Sequence, residues 1–368
     1  MGQNWDVFNV DRREKDLAGG GKLGEFFWNN MTELYQSLRI PCLPKAVDEW
    51  LSRGPFVVQR GHVGKLSTEV LDMIFQVLLD DISQEPTDNF LDCIFFAICC
   101  KRLLSVGKRH ILRALISQHA RAADCRLVCL GGCFQAEDQA PPGMLTDAEL
   151  KEIATTPGPD EHCYATTDDA IAARCFYTFA LESYEPYYVA GRSLFDPLKE
   201  LSKEIGNVRR REGETIDPLY SLDLDMIAAL GGLDYYRPKP EYLEGPNVLC
   251  NMSKGEYVRE DKLVVWEMGW RRVTLAQALL SRICYSWDPS ISMRCGEEYI
   301  DKLVKGPWAG DRFRITSADE MPPVKGEKKW KDVTKEVNTL LCHLLGREMP
   351  EEDHEDGEAL PGGGNKTK

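Results

Sequence analysis

Three cysteines and a histidine near the middle of the chain have spacings that could bind a metal: Cys125, Cys129, Cys133 and His119. Zinc sites often use cysteines separated by about two to four residues, so a metal centre is one interpretation. However, Cys125 and Cys129 lie along an apolar run, at a spacing that places both side chains on one face of a strand. We therefore expect buried thiols that pack as small hydrophobic groups, and no metal ligands.

The glycines of Gly19-x-Gly21-x-x-Gly24 match the spelling of a dinucleotide-binding loop. That chemistry requires a strand that runs directly into the glycines, so that the following helix begins at the pyrophosphate. Here a charged segment separates the glycines from the preceding apolar run. We interpret the segment as a glycine-rich turn and expect no cofactor.

A nucleophile is the third possible chemistry, at the pair His162-Cys163. A catalytic cysteine needs a base that a third group orients, and no acidic partner is evident near this pair. The sequence also contains no serine-hydrolase, zinc-protease or kinase motif. We expect no catalytic activity, and a nucleotide- or metal-dependent enzyme is the alternative that the glycines and cysteines leave open.

Three helical segments between residues 66 and 116 dominate the apolar pattern of the chain. The first has apolar residues at helical spacing, namely Val70, Leu71, Ile74, Phe75 and Leu78. The second runs from Phe90 to Cys100 and the third from Lys108 to Ile116. A unit of this size buries a smaller fraction of its surface than a large domain does. The excess apolar surface therefore requires a neighbour, which is either the rest of the chain or another protein.

Two parts of this region carry a recognisable motif. They are Leu66-Ser67-Thr68-Glu69-Val70-Leu71-x-x-Ile74-Phe75-x-x-Leu78 and Phe96-Ala97-Ile98-Cys99-Cys100-Lys101-Arg102-Leu103. Together they resemble an F-box, and the run 101–110 further resembles the F-box-like proteins expanded in mushroom-forming fungi. Ser67 replaces the proline of the family pattern, and a serine there can cap the helix.

The resemblance implies an adaptor that brings a substrate protein to a ubiquitin ligase. F-box helices dock onto the Skp-type adaptor of cullin ligases, so the implied partners are that adaptor, the cullin ligase and an unknown substrate protein. The implied adaptor-binding residues are Leu66, Val70, Leu71, Ile74, Phe75, Leu78, Ile94 and Ile98. The long polar break at residues 80–89 supports an alternative, in which the helices are kept as structure in a binding module outside ubiquitination.

Composition excludes several other classes of protein. Hydrophobic residues make up 43% of the 368 residues and charged residues 28%, which is typical of globular proteins. The net charge of −14 argues against nucleic-acid binding, which needs a basic surface. No apolar run is long enough to span a membrane, and residues 1–11 do not resemble a secretory leader. The 13 unpatterned cysteines favour reduced thiols and a cytoplasmic or nuclear location.

The pattern of elements predicts a mixed α+β fold with a small sheet. We expect an N-terminal strand-turn-helix segment at 1–61, the F-box-like unit at 62–118 inserted in or attached to a mixed domain at 119–346, and a disordered acidic, glycine-rich tail at 347–368. The mixed domain would bind the substrate.

A weak internal repeat suggests two related strand-turn-helix-strand halves. Residues 7–14 match 249–256 in character, and Ala123-x-x-Arg126-Leu127 resembles Ala309-x-x-Arg312-Phe313. If the repeat is real, the two halves could share one sheet, and the first half would be interrupted by the F-box-like unit.

Aromatic residues are a further source of interface anchors, because Tyr and Trp are enriched in binding surfaces. The candidates are Tyr184, Tyr187, Tyr188, Tyr235, Tyr236, Trp266, Trp270, Trp287 and Trp308. We expect most of them to be ordinary core or strand residues.

Overall fold

The computed structural model of the chain has a mixed α+β fold, as predicted. The structure describes residues 2–29, 31–53, 61–80, 86–133, 139–156, 175–187, 203–207, 210–211, 218–231, 240–264, 273–293, 295–324 and 329–345. In this part of the chain two small sheets and their helices form a body, and a group of helices is inserted into it. The expected tail at 347–368 and the pair His162-Cys163 lie outside the described residues.

The first half of the chain contains the N-terminal strands and the helical insert. Its elements are β1 (Asn4–Asn9), β2 (Glu14–Lys15), β3 (Gly21–Lys22), α1 (Leu23–Trp28), α2 (Thr32–Leu38), α3 (Lys45–Ser52), α4 (His62–Lys65), α5 (Thr68–Asp80), α6 (Pro86–Ile98), α7 (Lys101–His119) and β4 (Leu127–Gly131). We call α4 to α7 the helical insert, because they lie between α3 and β4.

The second half supplies the second sheet and the two outer strands of the first. Its elements are α8 (Asp147–Thr155), α9 (Phe176–Ser183), β5 (Glu185–Pro186), α10 (Pro218–Leu230), β6 (Asn247–Asn251), β7 (Glu256–Arg259), α11 (Leu275–Ile283), β8 (Cys284–Tyr285), α12 (Glu297–Val304), β9 (Phe313–Ser317), β10 (Lys331–Asp332) and α13 (Thr334–Leu344). Residues 263 and 264, which follow β7 and a short turn, are not part of either sheet.

The two sheets have the same core arrangement of three strands. In the first sheet the order is β5-β2-β1-β4-β8, with β3 also on β1, and in the second it is β10-β7-β6-β9. The antiparallel pair β1·β4 aligns Asn9 with Leu127, and the pair β6·β9 aligns Asn251 with Phe313. The β1·β2 hairpin then pairs Asn9 with Glu14, and the β6·β7 hairpin pairs Asn251 with Glu256.

The pairings confirm the duplication that the sequence suggests. Each copy turns through an asparagine that is fully buried. Asn9 Oδ1 accepts a hydrogen bond from the backbone N–H of Arg12, at 3.2 Å. Asn251 Oδ1 accepts the equivalent bond from Lys254, at 3.0 Å. Asparagine closes such turns because its side chain replaces a backbone acceptor.

The two copies form two sheets rather than the single shared sheet that the sequence suggests, and a local twofold axis relates the contacts between them. An antiparallel bridge joins Arg126 to Arg312, which are equivalent residues. On either side, Asp124 N–H donates to the Phe313 carbonyl at 2.6 Å, and Gly310 N–H donates to the Leu127 carbonyl at 2.8 Å. These two hydrogen bonds are equivalent under the same rotation.

The copies also exchange a segment, which locks them together. The residue after α2, Arg39, forms a parallel bridge with Ile315 in β9 of the second copy. The residue after α11, Cys284, is a parallel partner of Cys129 in β4 of the first copy. Each copy therefore completes the sheet of the other, and residues from the predicted segments 1–61 and 119–346 belong to one folded body.

Hydrophobic residues form separate cores in the body and in the insert. The main core contains side chains from both sheets, including Trp5, Cys129, Leu249 and Phe313. On the other face of the first sheet, Phe8 and its neighbours pack against α9. The first sheet is thus covered on both faces, and its strands are correspondingly apolar on both sides.

The helical insert has a core of its own, centred on Phe75. Helices α3 and α10, from outside the predicted boundaries 62–118, extend this core through Val47, Met226 and Leu230. Phe75 lies against the ring of Phe96, with centroids 5.2 Å apart, and is stacked on His110 at 5.8 Å. The folded helical unit is therefore larger than the motif that identifies it in the sequence.

Candidate docking surface

Helix α5 is apolar on two sides, and only one of them faces the core of the insert. Leu71 and Phe75 are fully buried, whereas Val70, Met73 and Val77 are 40%, 63% and 69% exposed. Residues at positions i, i+3 and i+7 line one side of a helix. We call Val70, Met73 and Val77 the α5 ridge.

The implied adaptor-binding residues fall into three groups. Leu71, Phe75 and Ile94 have no exposed surface, and this corrects their assignment as contact residues, because the insert's own core contains them. Leu66, Ile74, Leu78 and Ile98 are half-buried beside that core. Val70 alone among the eight belongs to the exposed ridge. Adaptor binding itself stays a prediction.

The sequence pattern does not identify two of the ridge residues, Met73 and Val77, as candidate contacts. The helical pattern singles out Val70, Leu71, Ile74, Phe75 and Leu78 as one stripe, and all of these residues except Val70 lie on or beside the core side of α5. The signal that could have found the others is the breadth of the apolar surface: Val70, Met73 and Val77 repeat the same spacing on the adjoining side. A helix whose apolar residues extend beyond one side needs more than one neighbour to cover them.

The ridge has a polar border along the helix. Ser67 precedes α5 and its hydroxyl accepts a hydrogen bond from the Val70 N–H, at 3.4 Å. Glu69 lies in the first turn, where the helix dipole favours an acid. Gln76, between Met73 and Val77 in the chain, is also exposed. An apolar centre with a polar rim is the usual composition of a protein–protein contact.

Helix α7 holds α5 in place by two devices, one polar and one steric. Asp72 of α5 accepts hydrogen bonds from Arg109 and from His110 Nε2, the latter at 2.5 Å. The hydrogen bond from His110, followed by that from Arg109, lowers the pKa of the Asp72 carboxyl. Gly107 faces the Phe75 ring so closely that an added Cβ would lie 2.5 Å from Cζ of that ring.

The basic end of the F-box-like motif also has a structural role. Arg102 Nη1 donates to the carbonyl of Gly64 at 2.5 Å, and Nη2 donates to the carbonyl of Leu66. Lys101 Nζ donates to the carbonyl of Leu51 at 3.2 Å, at the end of α3. These bonds tie α7 to the end of α3 and to the chain that leads into α5.

The other chemical motifs are parts of the body. Burial raises the pKa of the Cys129 thiol, which lies in the main core, whereas Cys133 is exposed. Gly24 lies inside α1, where an added Cβ would be 3.2 Å from Met293. Within the described ranges there is no cluster of three His, Cys, Asp or Glu side chains that could hold a metal ion.

No helix among the described residues is both long and apolar enough to cross a bilayer. Comparisons with protein families, with curated proteins and with solved structures found no match to this chain.

Proposed function

We propose that the chain is an F-box-type adaptor, a substrate-recognition subunit of a Skp-cullin-type ubiquitin ligase. The α5 ridge is the observation that carries this proposal. Two of its three side chains expose more than half of their surface to water, at 63% and 69%. Exposed apolar surface of this kind, with a polar rim, is typical of an interaction site rather than of a monomer's free surface.

In this proposal the ridge contacts a Skp-type adaptor, with Val70, Met73 and Val77 at the centre. Ile74 and Leu78, at the edge of the insert's core, add apolar surface beside them. The buried residues Leu71 and Phe75 give α5 its fixed position but make no contact with the partner. Ubiquitin transfer is left to the other subunits, and the chain itself performs no catalysis.

The α/β body is the part available to hold a substrate protein. It is joined to the insert by α7, a helix of 19 residues that ends eight residues before β4. Helices α3 and α10, which lie on either side of the insert in the chain, also pack on its core. An adaptor needs such a connection, since the substrate has to be kept at a fixed distance from the ligase.

The test is capture of the chain by a purified Skp-type adaptor. Met73→Asp places a carboxylate in the centre of the ridge, and an uncompensated charge in an apolar contact costs a few kcal/mol, about a hundredfold in affinity. We choose Met73 over Ile74 because Ile74 is half-buried, so its replacement would also disturb folding. Leu150→Asp, at an apolar residue of α8 that is 51% exposed, is the matched control.

Capture of wild type and Leu150→Asp, with loss of Met73→Asp, supports the proposal. Equal capture of all three proteins would show that the ridge is not the contact. Capture of none would favour the alternative, in which the F-box-like helices serve as structure in a protein-binding module outside ubiquitination.

A further inference from the structure

An aromatic corner lies on the body, directly after α11. Tyr285 ends β8, and Trp287 follows two residues later. Their rings are 6.3 Å apart at centroids and lie at 89° to each other, so they form two perpendicular walls. Trp287 is 54% exposed, which is unusual for the largest apolar side chain.

A cation already occupies this corner. Lys305 Nζ lies 3.7 Å from the Trp287 ring centroid and 4.7 Å from that of Tyr285. Ammonium groups bind over aromatic rings because the ring face is electronegative, and tryptophan is the strongest such partner. The position of Lys305 shows that the corner can hold a cation. The lysine itself is exposed to solvent.

The walls of the corner are fixed by backbone hydrogen bonds. Ser286 N–H donates to the Val304 carbonyl at 2.8 Å, and Gly306 N–H donates to the Cys284 carbonyl at 2.8 Å. The indole N–H of Trp287 donates to the Gln139 carbonyl at 3.4 Å. The main chain that carries both rings is therefore held in place before a ligand enters, which favours binding.

The local twofold axis relates the corner to the segment between Arg39 and α3. The exchanged segment of the first copy leads from Arg39 into the chain that carries α3 and the insert. The equivalent segment of the second copy leads from Cys284 into Trp287. The corner and the α5 ridge are thus separate surfaces, formed by different parts of the chain.

We propose that the Tyr285–Trp287 corner binds an arginine side chain of a partner protein, which takes the place of the Lys305 ammonium. Arginine fits better than lysine, since a planar, weakly hydrated guanidinium can stack on the indole and donate hydrogen bonds at its edge. The net charge of −14 favours the approach of basic partners. The inference does not depend on the adaptor function, because it concerns a different surface and a different copy of the repeat.

The test uses the full chain with labelled indole nitrogens and a short blocked peptide, acetyl-Gly-Arg-Gly-amide. The comparison peptide carries citrulline, which has the shape of arginine without its charge. We expect the indole signal of Trp287, identified by its loss in Trp287→Phe, to shift saturably with the arginine peptide only. Removing the competing ammonium in Lys305→Ala should strengthen binding about two- to fivefold.

Lys302→Ala is the matched control, because Lys302 lies over Tyr299, at 5.0 Å, outside the corner. It removes the same charge and should leave binding unchanged. The proposal is overturned if neither wild type nor Lys305→Ala shifts at about ten millimolar arginine peptide, or if the citrulline peptide shifts Trp287 equally. An equal gain in Lys302→Ala would also overturn it, since general charge would then explain the binding.

Discussion

Helices α5 and α11 are built from similar side chains but are used differently. In α11, Leu275, Leu279, Leu280 and Ile283 are all fully buried. In α5, Phe75 is fully buried while Met73 and Val77 lie on the surface. Helix α11 contacts strands of both sheets as well as α2 and α13, whereas α5 contacts mainly α6 and α7. Burial is therefore decided by the number of neighbours and not by the apolar content of the helix.

The comparison separates two roles along one short helix. The core side of α5 holds the insert together, and the ridge side contributes little to folding because it stays in water. The ridge is thus free to be selected for binding. In α11 no such separation exists, since every apolar side chain serves the core.

The largest effect should come from the core side of α5. Phe75→Ala removes a fully buried ring, and it should lower the free energy of unfolding by about 3–5 kcal/mol. Val77→Ala, two residues further on and mostly exposed, should change it by no more than about 0.5 kcal/mol. Urea unfolding of both variants measures the difference. Similar losses in the two variants would contradict the assignment of the two sides.

Two glycines extend the comparison to the body. An added Cβ at Gly306 would lie 2.3 Å from the backbone oxygen of Arg282, whereas at Gly107 it would meet the ring of Phe75. Backbone cannot move aside as a side chain can, so Gly306→Ala should cost about 3 kcal/mol and Gly107→Ala about 1–2 kcal/mol. Thermal unfolding of the two variants shows which of them loses more stability.

A double variant tests the cause at Gly107. Phe75→Leu with Gly107→Ala should recover part of the loss, because the smaller side chain leaves room for the methyl group. Gly61→Ala is the control, since an added Cβ there has nothing within 4 Å. Additive losses in the double variant would rule out the contact between Gly107 and Phe75.

A smaller effect on stability is expected at low pH, where Glu149 in the body becomes protonated. Hydrogen bonds from Arg126 lower the pKa of Glu149 from its ordinary 4.5 to about 2. A folded-state pKa below the unfolded one stabilises the protein above the unfolded value, and this stabilisation is lost as pH falls from about 4.5 to about 2. Glu149→Gln should reduce that loss by about 1 kcal/mol, because the pair is partly exposed.

Glutamine also keeps the capping bond that Glu149 makes to the Thr146 N–H, so the helix start should survive. Urea unfolding at several pH values measures how the free energy of unfolding of each protein changes with pH. If Glu149→Gln loses as much stability at low pH as the wild type does, the ion pair between Glu149 and Arg126 is not the cause of that loss.

Much of the fold follows from local patterns in the sequence. Apolar periodicity predicts the helices around Phe75 and Ile94, and the matched turns at Asn9 and Asn251 indicate the duplication. The exchange of Arg39 and Cys284 between the copies could not be predicted, because it depends on contacts far apart in the chain. The ridge was only partly predictable: spacing identifies apolar sides of α5 but does not say which side is covered.

The aromatic corner illustrates the same limit of prediction from sequence. The sequence marks Trp287 and Trp308 equally as candidate anchors, yet Trp308 is fully buried and donates its indole N–H to Glu256 at 2.6 Å. Trp287 is exposed because it follows the exchanged segment at the edge of the first sheet. Residue type alone does not distinguish these positions.

The most direct measurement follows the methionine methyl groups of the chain while a purified Skp-type adaptor is added. Met73 lies on the α5 ridge, and Met144 is buried in the body against Gly310. We predict that the Met73 methyl signal shifts or broadens saturably and that the Met144 signal does not. A Met73 signal that stays unchanged at saturating adaptor would contradict the assignment of the ridge as a docking surface.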